Sequence, residues 1–373
     1  MIYRTLGRTG LKVSQLGFGA MRLPTVGRKQ DKRVDREKAV PMIHRAFENG
    51  VNYIDTAVGY CNQDSQRAVG DALKGWRDKV VLSTKNHEYQ DETKWWQHLE
   101  DSLERLQTDH IDIYNHHGIN WKRYTEDVEP NTSRWMRKAK DRGLIRHICT
   151  SFHDNAEALM NLVKTGYPDV ITLQYNLLDR QLEDAIAAAH EAGIGVVVMG
   201  PVAGGRLGVD SKVLGELLPG VSRVPELALR FVLSNPNVSI ALSGMSTMQQ
   251  VEENLVTASD ESALSDEELK AIDEHMARLK KMADLYCTGC KYCMPCPQDV
   301  NIAAIFERYN WGRVYGLWEP ARKQYARLGT GRWPKGNDAT ACVECGLCEE
   351  KCPQNIPIRK QLKEAHEALK PSE

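Results

Sequence analysis

Asp55, Tyr60, Lys85 and His117 are the residue types that reduction of a carbonyl group needs. A carbonyl that accepts a hydride gathers negative charge on its oxygen and must then be protonated. Tyrosine gives that proton near neutral pH only if its pKa, about 10 in water, is lowered. An adjacent ammonium, here Lys85, favours the phenolate and lowers it. Asp55 would hold the lysine charged and in place. His117 would hydrogen-bond the substrate oxygen and orient it. A second group lies far downstream, in the runs Cys287-x2-Cys290-x2-Cys293-x2-Cys296-Pro297 and Cys342-x2-Cys345-x2-Cys348-x3-Cys352-Pro353. Such short loops let a chain circle a metal centre, and this crowding of thiols points to metal rather than disulfides. The other two cysteines, Cys61 and Cys149, are isolated. Cys61 directly follows Tyr60 and reads as a packed thiol rather than a redox group.

The elements that must position the first group are legible as apolar runs rich in Val and Ile: 14–20, 51–57, 79–85, 110–117, 144–152, 169–176, 194–201 and 238–245. They are nearly continuous in apolar character, as parallel strands covered on both faces are. Amphipathic helical stretches alternate with them at 38–49, 92–106, 131–142, 154–165, 182–192, 224–233 and 247–257. Several end before a glycine suited to a helix C-terminus, at Gly50, Gly143, Gly166 and Gly193. Eight strands alternating with helices over about 250 residues predict an α/β fold, a (β/α)8 TIM barrel. A doubly wound open sheet is the runner-up, and no Gly-x-Gly-x-x-Gly follows the first strand to support it. Residues 3–13 read as a small hairpin before the barrel. In such barrels the active site lies at the C-terminal strand ends. Asp55, Lys85, His116-His117, Ser151, Gln174 and Met199-Gly200-Pro201 all fall there.

The 373 residues carry a formal net charge of −1, so no global field favours nucleic acid or anionic lipid. The first residues lack an apolar core of signal-peptide length, and the most apolar run, 193–205, is too short and glycine-rich to span a bilayer. The expectation is a cytoplasmic protein that binds neither membrane nor nucleic acid. The expected division is a barrel over 1–264, a linking helix over 265–284 and a small, mostly helical cysteine domain over 285–373.

At several motifs the chain resembles the aldo-keto reductase superfamily. The matching pieces are Asp55-Thr-Ala-Val-Gly-Tyr60, Ser83-Thr-Lys85, Ile111-Asp-Ile-Tyr-Asn-His-His117, Gly143-Leu-Ile-Arg-His-Ile148, Gln174-Tyr-Asn176 and Gly244-Met-Ser-x-x-x-Gln250-x-x-Glu253-Asn254. They span roughly residues 1–260 in the family's order. The resemblance implies NAD(P)H-dependent reduction of an aldehyde or ketone, or the reverse oxidation of an alcohol. It makes Asp55, Tyr60, Lys85 and His117 the catalytic tetrad, His117 rather than His116 falling at the family's offset from Asp112. It implies an extended dinucleotide held by Gly19, Ala20 and Met21, with Ser151 and Gln174 on the carboxamide and Met199 against the nicotinamide. Gly200, Pro201 and Val202 would line the pyrophosphate, and Gly244, Ser246, Gln250, Glu253 and Asn254 the adenosine end. The chain departs from the pattern in places. Phe152 stands where the family often has Asn. Gly244 and Gln250 occupy positions often basic in NADPH-preferring members, and a 2′-phosphate needs charge-assisted donors. NADH or a relaxed preference is therefore expected, with Arg206 the reserve candidate for a phosphate. His87, Tyr89 and Trp121, on the loops 86–90 and 118–127, are candidates to line the substrate pocket, to which the loop 204–223 also contributes.

The second cysteine run resembles that of bacterial ferredoxins, and the first is one residue shorter before its last cysteine. The resemblance implies two 4Fe–4S clusters with crossed ligation. Cys287, Cys290, Cys293 and Cys352 would hold one, and Cys342, Cys345, Cys348 and Cys296 the other. Structural zinc on pairs of Cys-x2-Cys is the alternative. Between the runs, Phe306, Tyr309, Trp311, Tyr315, Trp318, Tyr325 and Trp333 interleave with Arg308, Arg313, Arg322, Lys323, Arg327 and Arg332. Packing is the default reading of that segment, against binding of nucleic acid or docking of an acidic electron carrier. Hydride transfer moves two electrons and a cubane one, and no flavin motif bridges them. The clusters thus either pin the C-terminal segment or relay electrons from a ferredoxin-like carrier. A non-catalytic redox-sensing or electron-transfer subunit is the competing class.

Overall fold

The computed structural model describes residues 1–28, 31–218, 221, 223–259, 263–284, 287 and 289–371. Residues 219, 220 and 222 of the expected pocket loop, and 285, 286, 288, 372 and 373 of the expected cysteine domain, lie outside them. The chain divides into two compact units, Met1–Gly204 with Ala228–Ala263, and Gly205–Leu227 with Leu264–Glu373. The expected single boundary near 264 thus gives way to an interrupted one, because 205–227 groups with the cysteine-rich tail.

The first unit is a closed barrel of eight parallel strands in sequence order. Strand one is Leu16–Gly19, two Tyr53–Asp55, three Val81–Asn86, four Ile111–Ile119, five Ile145–Phe152, six Val170–Gln174, seven Gly195–Met199 and eight Ile240–Gly244. Each lies within a predicted run or within two residues of one. The barrel is filled by side chains, among them Tyr53, Ile113, Val170, Val197 and Ile240, all buried. An antiparallel hairpin of Tyr3–Thr5 and Lys12–Ser14 precedes strand one, as expected, and Leu6 joins this core. Gly7 makes that plug fit. It has φ +47, and a Cβ there would lie 2.3 Å from the Gly195 nitrogen.

Helices follow the strands as predicted, but three stretches were not expected: Ser65–Leu73, the helical turns Trp121–Arg123 and Tyr124–Thr132 where the pocket loop 118–127 was expected, and the short Lys212–Gly215. Ser65–Leu73 escapes a sequence reading because its inward face carries Ser65 and Gln66 where an apolar stripe would read. Both are buried and mostly paired, Gln66 Oε1 alone having no hydrogen-bond partner among the described residues. The Ser65 hydroxyl meets Thr56 Oγ1 at 2.8 Å, and Gln66 Nε2 donates to Thr84 and Ser102 hydroxyls at 2.9 Å each. Such pairing offsets the desolvation cost of the two hydroxyls and of the amide N–H group.

Register places the chemistry. Asp55 pairs with Ser83 across strands two and three, and Lys85 with Asn115 across three and four. Gln174 pairs with Met199, and Gly244 with Gly19. All of these sit at one end of the barrel.

In the second unit, helices Asp266–Asp284, Ile302–Tyr315, Trp318–Tyr325 and Ile358–Leu369 surround the cysteine loops. Gly312 lets two of them meet closely, since a Cβ there would fall 2.2 Å from the Trp318 ring. The aromatic and basic residues stack on one another, as the packing reading expects: Arg313 lies 4.3 Å from the Tyr309 ring centroid, and Arg206 and Arg308 lie 4.7 and 5.0 Å from that of Trp311. Trp333 stays exposed.

Candidate active site and cysteine cavities

Asp55 and Lys85 are almost completely buried and form an ion pair. The Lys85 ammonium also donates to the Thr56 carbonyl at 2.8 Å, and the Ser83 hydroxyl to the second Asp55 oxygen at 2.7 Å. Asn115 completes the support, donating to Ser83 Oγ at 3.0 Å and the Thr84 carbonyl at 3.1 Å. The ammonium stands 5.1 Å from the centroid of the Tyr60 ring, which meets the His117 ring edge-on at 6.1 Å. The four residues therefore converge on one place.

Electrostatics distinguishes their roles. Burial works against the Lys85 charge, but Asp55 and Tyr60 outweigh it and raise the pKa. The Tyr60 phenol is also raised, contrary to the net lowering expected. Burial raises it most, Lys85 pulls it down and Asp55 pushes it up. Lys85 thus offsets part of the burial without reversing it. Burial, reinforced by Lys85, His87 and His153, lowers His117 to about 4, so its imidazole is neutral near pH 7.

His116 points elsewhere. Its ring is fully buried, Nε2 lying 2.8 Å from the Tyr167 hydroxyl, and burial lowers its pKa to about 3. The two neighbouring histidines alternate across strand four, and only His117 faces Tyr60. Of the expected pocket residues, Tyr89 donates to the His117 carbonyl at 2.6 Å, and the His87 and His98 rings lie 4.8 Å apart. Trp121 stacks on Tyr124 at 5.5 Å.

The residues expected to hold a dinucleotide occupy the ends of strands one and five to eight. Ser151 is buried, 3.4 Å from His153 Nε2, and Gln174 donates to Asp179 at 3.2 Å. Met199 ends strand seven. After it Gly200 takes φ 67 and its carbonyl accepts from Asn176 at 3.2 Å, while Pro201 and Val202 lead to Ala203 and Gly204 at φ 51 and 66. The backbone amide of Ser246 donates to Gln250 at 2.8 Å, Glu253 accepts from Gln249 at 2.9 Å, and Asn254 donates to Ser243 at 3.0 Å. Glycine-rich backbone and short polar side chains gather there. Arg206 lies in the second unit, its guanidinium over Trp311.

Two features escaped the sequence reading. Cys61, Asn62 and Gln63 all have left-handed φ, at 50, 58 and 67. The Cys61 thiol faces the carbonyls of Ala20 and Met21 at 3.7 and 3.6 Å, and Ser65 donates to the Ala20 carbonyl at 2.8 Å. The Tyr60 loop is thereby tied to the end of strand one. Arg22 is the second, its guanidinium donating to the Gly204 carbonyl after strand seven at 2.9 Å.

The eight cysteines surround two cavities. One is lined by Cys287, Cys290, Cys293 and Cys352, and the other by Cys296, Cys342, Cys345 and Cys348, with Cys293 also at its edge. Among the described residues no three such side chains close on a single ion. Four thiols around a cavity fit an iron–sulfur cubane better than a zinc ion, which needs its ligands about 2.3 Å away. Both loops share one backbone pattern. Gly289 matches Glu344, Lys291 matches Gly346 and Asp299 matches Asn355, all at positive φ, and each Cys-Pro-Gln leads into a helix.

An eight-stranded barrel with buried Asp and Lys beside Tyr and His at its C-terminal mouth defines an oxidoreductase of the (β/α)8 class. Residues 15–212 and 219–277 match the aldo/keto reductase family, and 286–357 match a 4Fe-4S dicluster domain. The chain belongs to the aldo/keto reductase family. It is 30% identical over 309 residues to the oxidoreductase YqkF of Bacillus subtilis, covering 73% of this chain and 95% of that one. It is 29% identical to the L-galactose dehydrogenase of Arabidopsis thaliana, covering 75% and 95%. Among solved structures, the holo form of aldo-keto reductase AKR11C1 from Bacillus halodurans superposes with a TM-score of 0.64 at 31% identity, covering 74% and 96%. An aldo/keto reductase of Klebsiella pneumoniae in complex with NADP and acetate gives 0.60 at 25%, covering 73% and 94%. Among the described residues no helix is long and apolar enough to cross a membrane.

Proposed function

We propose that the barrel reduces a small aldehyde or ketone, or oxidises the corresponding alcohol, with NADH or NADPH as the bound cofactor. The convergence of Asp55, Tyr60, Lys85 and His117 carries this reading. A nicotinamide bound beside them supplies the hydride. Ser151, Gln174, Gly200 and Asn254 are the residues we assign to holding the dinucleotide, and the NADP complex of the Klebsiella relative supports a nucleotide there. Neutral His117 donates a hydrogen bond to the substrate oxygen. Tyr60, held protonated by burial, gives its proton to that oxygen as charge gathers on it. The Lys85 ammonium stabilises the phenolate that remains, and Asp55 keeps the lysine charged.

Replacing Tyr60 by Phe tests this. Carbonyl reduction should fall by at least about a hundredfold with nucleotide binding kept, and unchanged turnover would refute the assignment. Competitive titration of NADH against NADPH checks the expected relaxed preference, and strict selection of NADPH overturns it.

The second unit we assign two 4Fe–4S clusters, one on Cys287, Cys290, Cys293 and Cys352 and one on Cys296, Cys342, Cys345 and Cys348. The supporting observation is the crossed lining of the two cavities. The protein should be brown, with about eight irons per chain on those assignments. A colourless, zinc-loaded protein would refute them. The clusters hold the tail folded in this reading. Their reduction by NADH alone, followed by absorbance, would favour the relay instead.

A further inference from the structure

Gly244 leaves the end of strand eight without a side chain, at a place where basic residues are expected for a phosphate. That space is filled from the turn after the adjoining strand one, Ala20–Arg22. A Cβ on Gly244 would lie 3.4 Å from Arg22 Cδ and 3.5 Å from its Cγ. The Arg22 guanidinium then reaches the loop after strand seven, donating through one Nη to the Gly204 carbonyl at 2.9 Å. Its own carbonyl accepts from the Ser246 hydroxyl at 2.7 Å, which fixes the backbone from which the side chain departs. Arg22 thus bridges the ends of strands one, seven and eight.

Three observations suit Arg22 to a phosphate as well as to this tie. The residue is exposed at the mouth, and among the described residues no carboxylate pairs with it. Gly200 and Gly204 nearby carry positive φ, a backbone form found in anion-binding loops. The loops after strands seven and eight are also where barrels of this class bind phosphate.

We infer that Arg22 is the cationic phosphate contact of the dinucleotide cleft, supplied from strand one in place of a basic residue at 244. The inference rests on the nucleotide-dependent reading above. Arginine suits the task because its planar fork bonds phosphate oxygens in pairs. The phosphate is either the pyrophosphate common to both cofactors or the 2′-phosphate of NADPH alone.

Calorimetric titration of Arg22→Gln and Arg22→Lys with NADH and with NADPH, on the full chain with its clusters, separates the cases without using activity. Loss of a charge-assisted bond should weaken binding by about tenfold or more. Equal weakening of both nucleotides in Arg22→Gln places the contact on the pyrophosphate. Weakening of NADPH alone places it on the 2′-phosphate. In either case Arg22→Lys should recover part of the affinity, and raising the ionic strength should weaken the wild type more than Arg22→Gln. Unchanged or tighter binding of both nucleotides in Arg22→Gln overturns the inference. If wild type itself binds neither nucleotide, the nucleotide-dependent reading is what fails.

Discussion

Lys85 owes its charge to Asp55. Burial works against an ammonium, and the Asp55 carboxylate is the largest group opposing it, with Tyr60 and the Thr56 carbonyl beside it. Asp55→Asn should therefore destabilise the fold by about 3–5 kcal/mol, the range for breaking one half of a buried pair. It should also slow turnover, and thermal melts with steady-state rates check both. The raised Tyr60 sets the alkaline side of the rate profile. Reduction needs the phenol protonated, so the plateau should extend past pH 10, and a limb near neutrality would contradict the mechanism. His116 and His117 act on stability in the opposite pH range. Their folded values, about 3 and about 4, lie below the ordinary 6.5, so between those limits the unfolded chain binds more protons. Stability should be greatest above about pH 6.5 and fall as pH drops toward 4. His116→Gln should flatten that slope in urea melts taken across the range.

The elements most exposed to single changes are those where backbone meets backbone. Gly7 closes the barrel floor with positive φ and a 2.3 Å approach to the Gly195 nitrogen. Gly7→Ala combines strain with a clash and should cost at least about 2 kcal/mol, read from the denaturant midpoint. The loop after Tyr60 shows the reverse economy. Cys61, Asn62 and Gln63 hold left-handed φ without a glycine, a conformation that costs roughly 1–2 kcal/mol per residue. The ties from Cys61 and Ser65 to Ala20 hold it there against that strain and keep the Tyr60 loop at the end of strand one.

At the scale of the whole chain, the two units do not follow the order of the sequence. The segment 205–227 leaves the barrel repeat and joins the cysteine-rich unit. There the Ser211 hydroxyl donates to the Tyr315 carbonyl at 2.7 Å, and Gly316 packs on Ser211. If clusters hold the tail folded, removing iron with a chelator should release hydrogen-exchange protection in 287–371 and in 205–227 together. The barrel strands should keep theirs. Loss of protection in the tail alone would separate the segment from the unit to which its contacts assign it.

The sequence by itself determined the eight strands, because continuous Val- and Ile-rich runs bury both faces in only a few ways. It also marked Asp55, Tyr60, Lys85 and His117, whose types are rare together at strand ends, and grouped the cysteines by spacing. It missed Ser65–Leu73, whose buried serine and glutamine hide the helical period until their partners on neighbouring elements are known. Only the tertiary structure decided that burial outweighs Lys85 at Tyr60, because desolvation depends on everything packed around the ring. Only it turned His116 away from His117, brought Arg22 over Gly244 and moved 205–227 to the second unit. Each of these joins residues far apart in the chain, and a local pattern carries no record of which distant groups it will meet.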